Sequence, residues 1–310
     1  MAAVSRRGWV LFALMSVIWG VPYLMIKVAV EGVSVPVLVF ARTAVGAAVL
    51  LPLALYQARR GGGRFAGLRR RWRPLAAFAA IEIMVSWWLL SDAERHLTSS
   101  MTGLLIAATP IVAAVVGRLT GDAERLGPAR IAGLAAGLAG VAVLAAPELR
   151  GGEPWAIVEV LLVAVCYATA PIIAARKLND VPALPMTAVC LTGAALVYTP
   201  PAVLTWPAAL PATEVLVALA GLALVCTALA FLVFFALIRE VGPSRALVFT
   251  YVNPAVAVAA GVMVLGEPLT ATILVSFALI LGGSVLATSR PRDRRARGSA
   301  APTVATGTTP

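Results

Sequence analysis

Glu82 lies about eight residues, roughly 12 Å at the helical rise, into an apolar run that begins at Pro74. A carboxylate at that depth in a bilayer is expensive, so it should face a bundle interior or a water-filled cavity. There it would suit proton coupling or cation binding; a plainer role is a hydrogen bond that glues two helices. Lys27 and Arg42 lie toward the outer ends of two earlier apolar runs. Arg42 reads as a long stem whose charge snorkels to the headgroups, with a place in the substrate pathway as its other reading. Lys27, preceded by Trp19-Gly20 and Pro22, reads as part of that pathway. Glu159, about five residues or ~8 Å into the sixth run, is placed to pair with Lys27. Tyr251 and Asn253 flank Pro254, and Tyr167 stands a turn before Pro171, so each could offer polar contacts to a solute.

Such groups need helices that cross a membrane. Apolar residues make up 61% of the 310-residue chain and charged residues 13%, against roughly half and a quarter in soluble domains. The surplus falls in runs of about 18 to 25 residues, the length of a bilayer-spanning helix. The runs are Trp9–Ala29, Pro36–Tyr56, Pro74–Leu90, Ser99–Val116 and Ala129–Ala146, then Trp155–Ala175, Pro185–Leu204, Thr213–Ile238, Ser244–Leu265 and Thr270–Thr288. PELRGGEP, Pro147 to Pro154, divides the two sets of five. The units are therefore 9–146, 155–288 and a basic tail, 289–310, whose composition cannot bury a core and is expected to be disordered. The expected fold is an all-α polytopic membrane protein of ten helices.

The net charge of +11 gathers in loops and tail without interleaved aromatics, which argues against a nucleic-acid partner. Placing the N-terminus in the cytoplasm leaves Lys27, Arg42, Arg95 and Arg150 as the exceptions among 25 Lys and Arg residues. That bias puts both termini inside. Cys166, Cys190 and Cys226 sit singly in apolar runs, and the one histidine, His96, lies in a loop. Neither a metal cluster nor a nucleophile–base set follows, so no cofactor and no enzyme is expected. A GxxxxGK[ST] loop is absent as well, so ATP is not the driving force.

The two halves repeat each other. TSSMTGLLIAATPIVAAVVGRLTGDAERL (Thr98 to Leu126) returns as GPSRALVFTYVNPAVAVAAGVMVLGEPL (Gly242 to Leu269). The prolines pair as Pro22 with Pro171, Pro52 with Pro200, and Pro110 with Pro254. An odd number of helices per copy forces opposite insertion, the inverted repeat of many secondary transporters, with a site near the midplane. Pro22, Pro110, Pro171 and Pro254 each remove a backbone donor and read as bends. Gly133, Gly137 and Gly140, with Gly282-Gly283, permit close helix approach, a homodimer contact included. Trp87 and Trp88 read as belt residues at the outer interface.

Taken together, these features resemble the drug/metabolite transporter superfamily, specifically its EamA-type permeases. The likeness rests on Trp19-Gly20 with Lys27, Arg42, Thr109-Pro110, Gly121 to Leu126, Tyr167, Tyr251, Pro254 and Gly266-Glu267-Pro268-Leu269, and covers residues 9 to 288. Two departures stand out: the longer Gly-Asp-Ala-Glu turn, and the charged Asp92-Ala-Glu-Arg-His96 where a plainer turn is common. The resemblance implies carriage of a small-molecule solute, with small metabolites such as amino acids exported across the inner membrane. Proton-coupled drug efflux is the alternative; a non-transporting membrane scaffold and an intramembrane enzyme are the rival classes.

Overall fold

The computed structural model describes residues 5–61, 66–119 and 127–288. Expectations for the Gly121 to Leu126 turn, part of the basic loop after the second run and the tail lie outside them. Every regular element among the described residues is helical. Among the described residues nine helices are long and apolar enough to cross a bilayer: Arg6–Ala29, Val35–Arg60, Trp72–Ala93, Ser99–Gly117, Pro128–Gly151, Pro154–Lys177, Ala183–Leu204, Thr213–Val241 and Ala271–Thr288. The ninth crossing in chain order is assembled from Pro243–Ala246, a 3-10 turn Leu247–Tyr251 and Asn253–Leu265. The sequence reads it as one run, Ser244–Leu265, bent at Pro254; the structure divides it into three pieces. Pro254 cannot donate to a helical ladder, so the α-helix restarts there with proline in its first turn.

Packing follows the repeat. The second crossing lies along the seventh and the fifth along the tenth, each crossing against its own counterpart. The first packs on the eighth, as the sixth packs on the third; the first meets the ninth, as the sixth meets the fourth. This exchange of partners is what two copies related by an in-plane axis require. The crossings thus form two groups, the first, eighth and ninth in one and the third, fourth and sixth in the other. The fifth and tenth approach through backbone, because a Cβ on Gly283 would lie 2.5 Å from the Gly137 amide nitrogen. The glycine stripe therefore serves contacts within the chain.

Counterparts share irregularities as well. The third crossing is π-helical over Ala80–Val85 and the eighth over Gly221–Leu229. At the end of each, a hydroxyl reaches back five residues to a carbonyl, Ser86 to Ile81 at 2.6 Å and Thr227 to Leu222 at 2.8 Å. Such bulges free a carbonyl from the regular ladder, and in lipid a side chain must take it up.

Exposed tryptophans mark both membrane faces. Trp9 and Trp72 open the first and third crossings on the N-terminal side, here the near side; Trp155 and Trp206 lie at the far side. Trp87 and Trp88, expected in a belt, are instead drawn into the bundle. Trp87 lies beneath Arg42, and Trp88 stacks on Tyr198 at 5.8 Å between centroids.

Candidate functional site

Three crossings break near their middles and meet there. The first stops at Ile18 and resumes at Pro22, the fourth stops at Ile106 and resumes at Thr109, and the ninth resumes at Asn253. Pro110 cannot donate to the Ile106 carbonyl, and the Thr109 hydroxyl does so in its place at 2.6 Å. At the first break the Gly20 amide bonds Val17 rather than Ser16. The Asn253 side-chain amide, oriented to satisfy its neighbours, donates to Ser16 and Phe249 carbonyls at 3.1 Å each. Asn253 thus ties two broken helices together. Gly20 is needed for that approach, since a Cβ there would lie 2.5 Å from Val256.

On the far side of these breaks the two groups are joined. Pro22–Ala29, Ser99–Ile106 and Asn253–Leu265 pack against one another. On the near side the corresponding halves diverge: Arg6–Ile18 keeps to the eighth and ninth crossings, and Thr109–Leu119 to the sixth and tenth. A cleft of about 310 Å³ opens on the near side, lined by Gln57, Pro182 to Pro185 at the start of the seventh crossing, and Leu232, Phe235, Ile238 and Arg239 of the eighth. Thr227, Phe231 and Phe235 recur every fourth residue, so they share a face of that helix and lead from the cleft toward the middle. Phe231 stacks on Phe235 and meets Trp19, both at 6.0 Å; Trp19 also packs on Phe234 and Phe249.

A polar cluster stands at the inner end of this face. The Arg42 guanidinium lies 3.7 Å from the Trp87 ring centroid and donates through Nε to Thr227 Oγ1 at 2.9 Å. Only 6% of Arg42 is exposed. The expected snorkelling is therefore overturned: the stem points inward, and the cation is held by an aromatic face and a hydroxyl, a contact worth about 2 kcal/mol when desolvated. Tyr23 lies within electrostatic reach of Arg42, and Tyr167 within reach of both Arg42 and Glu82. Glu82, in the π-helical turn of the third crossing, has one buried oxygen without a hydrogen-bond partner among the described residues. The structure thus gathers Tyr23, Arg42, Glu82 and Tyr167 at mid-bundle.

A second polar cluster closes the far side. Lys27 Nζ donates to the Glu94 carbonyl at 2.8 Å. The Lys27–Glu159 pair read from the sequence is not formed, because Glu159 faces Asp92 and Trp155 instead. Glu267, which follows Gly266 (φ +67°, a conformation suited to glycine), accepts from the Ser99 and Ser100 amides at 2.7 and 2.9 Å and from the Ser100 hydroxyl. The acid of the GEPL motif is therefore a helix cap that spans the two groups. Tyr251 bonds the Thr288 hydroxyl at 2.6 Å, on the last helix rather than in the cluster. Pro171 lies within a continuous helix, Pro154–Lys177, and does not break it as Pro22 breaks the first crossing.

Inverted five-helix repeats, paired irregularities and charged groups buried where the halves meet define a class: a polytopic membrane transporter built as an inverted repeat. The chain belongs to the EamA-like transporter family, whose model matches residues 6–146 and again 154–289; it is a membrane transporter. It is 30% identical over 284 residues to YedA, an uncharacterised inner membrane transporter of Escherichia coli K12, covering 90% of this chain and 89% of that one. It is 24% identical over 301 residues to the uncharacterised transporter YvbV of Bacillus subtilis 168, covering 94% and 95%. A crystal structure at 22% identity superposes with a TM-score of 0.63 over 91% of this chain and 96% of that one, a likeness of fold.

Sequence reasoning missed Thr227, Tyr23 and Glu94 as site residues. Thr227 was legible as a lone hydroxyl in a long apolar run. Glu94 stood in the charged turn noted as a departure, but its burial depends on how the third and fourth crossings dock.

Proposed function

We propose that the chain exports small zwitterionic metabolites, amino acids among them, across the inner membrane by alternating access without ATP, both termini lying in the cytoplasm. The reading rests on one observation: the buried guanidinium of Arg42 and the half-buried carboxylate of Glu82 both lie within electrostatic reach of Tyr167. Such a pair complements the carboxylate and ammonium of an amino acid, and Arg is the residue suited to a planar carboxylate. Trp19, Phe231 and Phe235 supply an apolar wall for its side chain. The bias of Lys and Arg toward the near side supports a cytoplasmic N-terminus, and the near-side cleft is then the entry for a cytoplasmic solute.

Counterflow in proteoliposomes, with a mixture of radiolabelled neutral amino acids and no nucleotide, tests this. Accumulation is expected for the wild type, with KM raised about tenfold, one lost ionic contact's worth of roughly 1.4 kcal/mol, in Glu82→Gln. No accumulation of any amino acid would overturn the substrate class. A second reading, proton-coupled efflux of drug-like cations, is favoured by the same partnerless Glu82 oxygen beside an aromatic wall. It expects accumulation of an aromatic cation where amino acids give none.

A further inference from the structure

Glu94 is the one acidic residue 0% exposed in the described chain, and neither carboxylate oxygen accepts a well-formed hydrogen bond. Its position makes that unusual. It lies just past Trp72–Ala93, at the turn into the fourth crossing, where the far halves of the first, fourth and ninth crossings close. The nearest cation, Lys27 on the first crossing, directs its ammonium to the Glu94 backbone carbonyl rather than to the carboxylate. From the other elements packed around it, Arg42 of the second crossing, Tyr23 of the first and Glu267 of the ninth–tenth turn face the acid. On its own turn Asp92 and Arg95 pair with each other at 3.2 Å, and His96 is exposed.

We propose that Glu94 is a proton-binding site that governs opening of the far side. With the seam closed, an ionised carboxylate there would be a buried charge without a well-formed hydrogen bond, which proteins strongly disfavour. The closed seam therefore holds the acid as its neutral form. When the first crossing withdraws from the fourth, water reaches Glu94 and the proton leaves to it. Lys27 is then free to turn from the carbonyl to the carboxylate, so ionisation stabilises the open seam. Desolvation raises the Glu94 carboxyl well above the usual carboxylate range, opposed by Lys27, through its charge and its backbone amide, and by Arg42, while Glu267 adds to the rise.

The sign follows from linkage. A group that binds its proton more tightly in the closed than in the open state favours closure at low pH. Raising the pH through its closed-state value shifts the population toward opening, by at most about tenfold per pH unit for one proton. The proposal rests on the transporter reading, but its test does not need a solute.

Ser91, one turn before Glu94 on the same face, is fully buried and its hydroxyl has no hydrogen-bond partner among the described residues. Ser91→Cys therefore places a nearly isosteric thiol behind the seam. A membrane-impermeant maleimide is applied from the far side across pH 5 to 8, with thiolate reactivity normalised to a fully exposed cysteine and Cys166, Cys190 and Cys226 setting the background. Labelling is expected to rise with pH in the Ser91→Cys protein, to stay low and flat with Glu94→Gln added, and to keep its rise with Glu82→Gln added. Glu94→Asp, which keeps the acid, retains the rise at a displaced midpoint and shows that the site tolerates change. A Glu94→Gln protein that follows the parent curve, or a parent curve flat in pH, would overturn the proton site. Amino-acid counterflow that fails while the pH curve persists would overturn the substrate reading alone.

Discussion

The first and sixth crossings occupy equivalent places in the two repeats, yet they differ where equivalence would matter most. The first is broken at Trp19–Val21 and bends its outer half onto the fourth and ninth crossings; the sixth runs unbroken from Pro154 to Lys177 with Pro171 inside it. Elsewhere the repeats agree closely, in the π-helical turns of the third and eighth crossings and the proline restarts of the fourth and ninth. Symmetry is kept in the paired irregularities and lost in the pair that faces the seam. Under the proposed alternating access, that difference marks one access state: the broken crossing closes the far side and the straight one leaves the near side apart. In the opposite state the roles should exchange, with the sixth crossing bending at Pro171 and the first drawing straight.

Breaking the centre of the comparison should give the largest effect. Arg42→Met leaves Thr227 and Trp87 in place but removes the buried cation. Counterflow is expected to fall at least about 100-fold, in line with roughly 3 kcal/mol for truncating a buried hydrogen-bonded charge, while solubilised protein still elutes as a single folded species. A smaller effect is expected where the asymmetry itself is changed. Pro171→Ala restores a donor in the sixth crossing and stiffens the straight form, so turnover should drop about tenfold, or roughly 1.4 kcal/mol on the barrier, with binding unaltered. Turnover equal to the wild type's would leave the bend at Pro171 without a role. Asn253→Ala uncaps two carbonyls at the first and ninth breaks, at a cost of about 1–3 kcal/mol, read as a fall in thermal unfolding temperature. Smallest is Glu267→Gln, which keeps the acceptor but gives up the charge at the Ser99 helix start, about 1 kcal/mol by the same measurement.

Much of the fold was legible in the chain because the membrane restricts it so severely. Apolar runs of spanning length and the duplicated proline blocks led to two oppositely inserted sets of five. The breaks at Pro110 and Pro254 followed from a missing donor. What the residues could not reveal was direction. Arg42 lies toward a helix end, where a stem can reach the headgroups or turn inward, and only the placement of Trp87 and Thr227 decides between them. Lys27 was matched to Glu159 because their helices are counterparts, but counterparts one and six do not touch along that face; Glu94, from the turn that docks on the first crossing, takes the contact. Pro22 and Pro171 look alike in the sequence and differ in the structure, since proline permits a break without compelling one.

The most direct measurement bridges the seam itself. Ser100→Cys and Glu267→Cys replace two residues in contact across it, in a protein whose three native cysteines are serine; a short, cleavable thiol crosslinker joins them. Ser5→Cys and Glu240→Cys, replacing a hydrogen-bonded pair within one helix group at 2.6 Å, serve as the control. Alternating access requires that the first bridge arrest amino-acid counterflow until it is cleaved, while the second leaves it unchanged. Flux that continues through the bridged Ser100–Glu267 protein would contradict the model of two groups parting at that seam.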